Sequence, residues 1–141
     1  MPSWTRSKLR RERALRSSIR SDLTAWAALA LAPRGQVPAA HHRLIIQELQ
    51  ALTTGATDRL MLLLPPGSAK STYASVVFPP WWFVQHPGSS ILAASHTASL
   101  ADHFGRGVRG LIEDNGARLG YTLDRASRAR RPRSSRRRSS W

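Results

Sequence analysis

The chain has no cysteine, which rules out a disulfide framework and thiolate metal ligation and fits a reducing cytosol. Acidic residues are scarce too: 8 Asp and Glu stand against 22 Lys and Arg, for a formal net charge of +14. Long apolar runs are missing. The longest stretch, around Leu23 to Ala32, is too short to span a bilayer. The opening Met1-Pro-Ser-Trp-Thr-Arg6 lacks the apolar core of a signal peptide. These absences point away from the membrane and the secretory route. The length of 141 residues leaves room for one small domain.

What charge there is sits at the ends. Residues 1–20 hold Arg6, Lys8, Arg10, Arg11, Arg13, Arg16 and Arg20 against the single acid Glu12. Residues 125–141 hold eight arginines and no acid, whereas residues 21–124 are balanced. A basic folded face is therefore not expected. Both ends have almost nothing apolar to bury and are expected to be disordered. This gives a basic N-terminal arm (1–20), a body (21–124) and an Arg/Ser-rich tail (125–141).

Within the body, Ser21-Asp22 forms a helix cap before Leu23-Thr-Ala-Trp-Ala-Ala-Leu-Ala-Leu31, with Pro33 and Gly35 closing that helix. Pro38 to Leu52 reads as a second helix, with Leu44, Ile45, Leu49 and Leu52 on one stripe and Gly55 beyond its end. The most informative stretch follows, Leu60-Met-Leu-Leu-Leu-Pro-Pro-Gly-Ser-Ala-Lys-Ser-Thr72. A continuous apolar run suits a parallel strand buried on both faces. The Pro/Gly/Ser turn after it can offer backbone N–H groups to a phosphate at the start of a helix. Lys70 would reach the β- and γ-phosphates and the Ser71 hydroxyl would bind magnesium. The pattern G-x-x-x-x-G-K-[ST] is matched in part: Ala69 and Leu64 stand where its glycines belong, and Gly67 lies inside the loop.

A second apolar run, Ser90-Ile-Leu-Ala-Ala-Ser95, begins about one βαβ unit (roughly 30 residues) later. Ser71 to Phe83 would be the crossover helix, stopped or kinked at Pro79-Pro80. A last helix is expected from Ala98 to Asp114, with Leu100, Phe104, Val108 and Leu111 on one side. The five histidines (His41, His42, His86, His96, His103) are scattered and suggest no metal centre. Ser95 and His96 would face opposite sides of a strand, so no hydrolytic triad is legible.

Taken together, these segments resemble the ATPase domain of the large terminase subunit of tailed bacteriophages. The resemblance spans roughly residues 20 to 125. It rests on His41-His42-Arg-Leu-Ile-Ile46, the 59–72 segment, Phe78-Pro-Pro-Trp81, Ile91-Leu-Ala-Ala-Ser-His96 and Leu100-Ala-Asp-His-Phe-Gly-Arg-Gly-Val-Arg109. It implies an α/β fold: a P-loop NTPase core, here truncated to a βαβ unit with preceding helices and disordered basic termini. It further implies ATP and magnesium as cofactors, with Pro66, Gly67, Ser68, Ala69, Lys70, Ser71 and Thr72 around the triphosphate. His42 and Gln47 would lie toward the adenine, and Ser71 would be the metal ligand. The implied role is packaging of viral double-stranded DNA in the cytoplasm of the bacterial host, together with the portal, the small terminase subunit and further copies of the large one.

Hydrolysis by such enzymes needs acids on a later strand to hold magnesium and to orient water. After residue 95 the acids are Asp102, Glu113, Asp114 and Asp124, none ending an apolar strand. No catalytic residue is therefore assigned, and the expectation is a hydrolysis-incompetent fragment. The tail Ala126 to Trp141 has the Arg/Ser/Pro composition of a GC-rich frame misread. The alternative is a small non-enzymatic nucleic-acid-binding protein acting through its Arg-rich arms.

Overall fold

A computed structural model describes residues 5–124, so the segment read as an Arg/Ser-rich tail lies outside the described residues. Five α-helices follow one another: α1 (Arg6–Ser21), α2 (Leu23–Leu31), α3 (Ala40–Thr53), α4 (Phe78–Gln85) and α5 (Ala98–Leu119). A short 3₁₀ turn, Ala32–Arg34, follows α2, and a π-helical stretch, Thr72–Val77, runs directly into α4.

The helix caps explain the start of the body. Asp22 Oδ1 accepts the Thr24 N–H at 2.8 Å, so α2 begins where a capping aspartate satisfies an otherwise unpaired donor. Helix α3 is capped from inside: the Nδ1 of His42 accepts the Ala39 N–H at 3.1 Å. Its inner face carries Ile45, Ile46 and Leu49.

Pro79-Pro80 does not end the helix that precedes it. The Phe78 N–H bonds to the Tyr73 carbonyl five residues back, a wide turn that makes room for the two rings. The prolines then occupy the first turn of α4, the helical position that tolerates them best.

The core gathers around two tryptophans. Trp26 of α2 and Trp81 of α4 are fully buried among Ile19, Leu23, Leu31, Ile46, Tyr73, Val77 and Leu119. Each indole also makes a long-range hydrogen bond, Trp26 Nε1 to the Val77 carbonyl at 2.7 Å and Trp81 Nε1 to the Ile19 carbonyl at 3.1 Å. Helix α5 closes the bundle and runs past its expected end at Asp114 to Leu119. Gly116 makes that possible. A Cβ there would sit 2.5 Å from the Tyr121 carbonyl oxygen, so only glycine allows the chain to fold back over the helix end.

The expectation of an α/β core is overturned. Among the described residues there is no strand and no sheet; the fold is helical. Residues 59–64, whose burial alternates, and 90–95 have no regular secondary structure, and neither run has a strand to pair with among the described residues. Leu60, Leu62 and Leu64 turn toward the helices, while Met61 and Leu63 are 79% and 84% exposed. The reading of a strand buried on both faces fails because helices cover only one of them. The expectation of a disordered N-terminal arm is corrected as well. Residues 6–21 form α1, held by Ile19, which is fully buried, and by Leu15 against the core. No helix of the described residues is long and apolar enough to cross a membrane.

Candidate phosphate-binding loop

The loop joins the extended run 59–64 to a helical run that starts at Lys70. Its backbone alternates in handedness. Gly67 has φ 82 and Ala69 has φ 56, whereas Ser68 between them does not enter the positive region. Alternation of this kind turns successive N–H groups toward one side and forms a concavity for an anion. Gly67 is suited to its conformation because it has no Cβ. Ala69 adopts the left-handed region in spite of its Cβ, and it is the one described non-glycine residue to do so.

The hydrogen bonds of the turn leave its centre open. The Ser68 N–H donates to the Pro65 carbonyl at 3.3 Å and the Tyr73 N–H to the Ala69 carbonyl at 3.2 Å. The N–H groups of Gly67 and Ala69 have no backbone acceptor among the described residues. Ser68 Oγ is buried and has no hydrogen-bond partner, a costly state for a hydroxyl unless a ligand completes it. Lys70 Nζ folds back to the Leu64 carbonyl at 3.2 Å, holding its ammonium over the loop. Pro66 and Ser71 are exposed, and Thr72 opens the π-helical stretch.

Helix α3 brings His42 to this loop. The ring stacks on Tyr73 with centroids 4.7 Å apart and contacts His41 at 3.9 Å. Burial pushes the His42 pKa below its ordinary value, and the neighbouring His41 adds to that; a hydrogen bond with the Ser68 backbone works the other way. Burial raises the hydroxyl pKa of Tyr73. Gln47 is not brought in with His42. It lies on the exposed side of α3, while Ile46 and Leu49 face the core.

The donor set fits a phosphate: two free N–H groups on one curved backbone, an unpartnered buried hydroxyl and a lysine ammonium. For magnesium the loop supplies one side chain, the exposed Ser71 hydroxyl. Among the described residues there is no group of three or more His, Asp or Glu that could hold a metal ion. A cation here would take its other ligands from phosphate oxygens and water, as magnesium commonly does.

Two features of this region and its surroundings have little signal in the residues themselves. The left-handed geometry at residue 69 is not encoded by alanine, which avoids that region when isolated; it is imposed by the turn between two packed elements. The ordered helix α1 was signalled only by Leu15 and Ile19, one turn apart within a charged run. No protein-family model, no curated protein and no solved structure matches this chain.

Proposed function

We propose that the loop from Pro65 to Ser71 binds the phosphate end of a nucleoside triphosphate together with magnesium. We further propose that the chain acts in ATP-driven packaging of viral double-stranded DNA, the role of the terminase family it resembles, with the portal and the small terminase subunit as partners. The observation that carries the binding reading is the left-handed backbone at Gly67 and Ala69, immediately before a helical run that begins with Lys70.

The N–H groups of Gly67 and Ala69 donate to the phosphate oxygens, and Ser68 Oγ supplies a hydroxyl donor from inside the turn. Lys70 exchanges the Leu64 carbonyl for the β/γ end of the ligand, replacing a neutral acceptor with an anionic one, a stronger hydrogen bond. The Ser71 hydroxyl would hold the magnesium ion. When bound, that ion neutralises charge on the phosphates. His42 forms the wall of the loop on the α3 side. Gln47 has no part in this reading, and no residue is assigned to hydrolysis.

Binding of a fluorescent ATP analogue in the presence of magnesium tests the reading. Lys70→Ala should weaken it by at least about tenfold, the loss of one charge-assisted contact. Unchanged affinity in that variant would place the nucleotide elsewhere and sink the assignment.

A further inference from the structure

Helix α1 arranges its basic residues in a way the charge count alone does not reveal. Leu15 and Ile19 point into the core. Around the helix from them, Arg13, Arg16 and Arg20 recur at three- and four-residue spacing and so share one face. With Ser17 and Ser21 they line an open cleft of about 590 Å³ whose opposite wall is Val84 and Gln85 of α4. The only acid of α1, Glu12, lies outside the cleft. It is held by Arg16 at 3.1 Å and Arg118 at 3.2 Å, and these contacts keep its carboxyl below the usual range. Arg13 and Arg20 form no ion pair among the described residues.

The cleft is built on a fixed frame. Gln85 Nε2 donates to the Arg20 carbonyl at 2.6 Å, and Trp81, one turn earlier on α4, donates to the Ile19 carbonyl at 3.1 Å. The last carbonyls of α1, which have no partner within their own helix, are thus tied to α4. The backbone that carries these arginines is thus fastened to the far wall by two hydrogen bonds, and the Arg20 guanidinium lies over Gly120 at the end of α5.

We propose that this cleft grips the sugar–phosphate backbone of a nucleic-acid duplex. Arg13 and Arg20 are separated by about 10 Å along the helix axis. At roughly 3.4 Å of axial rise per nucleotide, that span corresponds to about three base-pair steps along the duplex axis. Guanidinium is suited to the task because its planar fork bonds two phosphate oxygens at once. Ser17, Ser21 and the amide of Gln85 add neutral donors at the edge.

Other polyanions fit less well. Single strands are held by a basic groove together with rings on which bases stack, and no aromatic side chain lines this cleft. A helix lying on a membrane inserts its apolar face into lipid; here that face is buried in the protein core. The binding expected of such contacts is independent of base sequence, since phosphate contacts carry no sequence information. It is also independent of the phosphate-binding loop and stands or falls without it.

The test uses the full chain and a short labelled DNA duplex, with affinity measured across a salt series. Two variants remove the same charge: Arg13→Gln/Arg16→Gln/Arg20→Gln in the cleft, and Arg136→Gln/Arg137→Gln/Arg138→Gln as a control. The cleft variant should lose at least about tenfold in affinity near physiological salt, and the slope of log K against log salt should shrink by about 3. The control should lose markedly less. Equal losses in the two variants, or wild-type binding by the cleft variant, would overturn the proposal. So would anionic vesicles or a single strand bound as tightly as the duplex. If the triple variant fails to fold, Arg13→Glu alone decides, at an exposed position with no ion-pair partner among the described residues. It should weaken duplex binding more than Arg136→Glu, and the reverse order counts against the cleft.

Discussion

The indole of Trp81 donates its N–H to the carbonyl of Ile19 across 62 residues of sequence, at 3.1 Å and out of contact with water. The bond joins the C-terminal end of α1 to α4 and carries a charged helix into the core. Trp81→Phe keeps most of the ring and leaves that carbonyl unpaired, which should cost about 1–3 kcal/mol. Trp81→Ala removes the packing as well and should cost about 3–5 kcal/mol. Urea unfolding measures both, and a Phe variant as stable as the parent would mean that the hydrogen bond contributes nothing.

Ala69 is strained where a glycine would not be. Its φ of 56 is a conformation that costs an L-residue with a Cβ about 1–2 kcal/mol. Ala69→Gly removes that strain and should raise stability by up to about 1 kcal/mol, part of the gain being offset by glycine's freedom in the unfolded chain. Ala69→Val should destabilise by about 1–3 kcal/mol and weaken phosphate binding, because a β-branched residue resists the left-handed region. A glycine variant with a lower melting temperature would contradict the loop geometry.

These two sites mark how far the residues spoke for themselves. Helices α2, α3 and the start of α5 were legible because Asp22, the Ile45/Leu49 stripe and Leu100/Phe104 act through local spacing. A turn at 65–69 was legible from Pro65, Pro66 and Gly67, and the structure has one there. The absence of a sheet was not, because an extended run such as 59–64 becomes a strand only if another strand pairs with it, and periodicity contains no record of partners. The order in α1 was hidden for a related reason. Trp81 and Gln85 stabilise it from more than 60 residues away, whereas its own composition is that of a solvated arm. The end of α5 expected at Asp114 fell short of Leu119, because the role of Gly116 depends on Tyr121 crossing above it.

His42 should report on the loop. Burial, followed by the charge of His41, holds its pKa below 6.5. The unfolded chain therefore takes up this proton at a higher pH than the folded one. The associated stability is present above pH 6.5 and declines as pH falls through that value toward the folded pKa, below which no more is lost. A phosphate bound beside Ser68 places negative charge near the ring and should move the His42 pKa upward. By reciprocity, nucleotide binding should tighten as His42 becomes protonated. Histidine-selective NMR titration with and without ATP checks both statements. A His42 curve that ATP does not move would separate the imidazole from any bound anion.

The run 59–64 offers the sharpest contrast between what its composition suggests and what its surroundings do. Leu62 packs against the helical core, whereas its neighbour Leu63 is 84% exposed. In a strand buried on both faces the two leucines would be equivalent. Here they differ, because successive side chains of an extended backbone point to opposite sides and the helices cover one. Leu62→Ser should cost about 1–3 kcal/mol through lost burial. Leu63→Ser should stay within about 0.5 kcal/mol of the parent and should reduce self-association, since it removes apolar surface from an unpaired extended segment. Chemical denaturation of the two variants, with sedimentation of the second, separates the cases. Equal and large losses at both positions would mean that Leu63 is covered in solution, and that residues 59–64 have a second packing face that the helices do not provide.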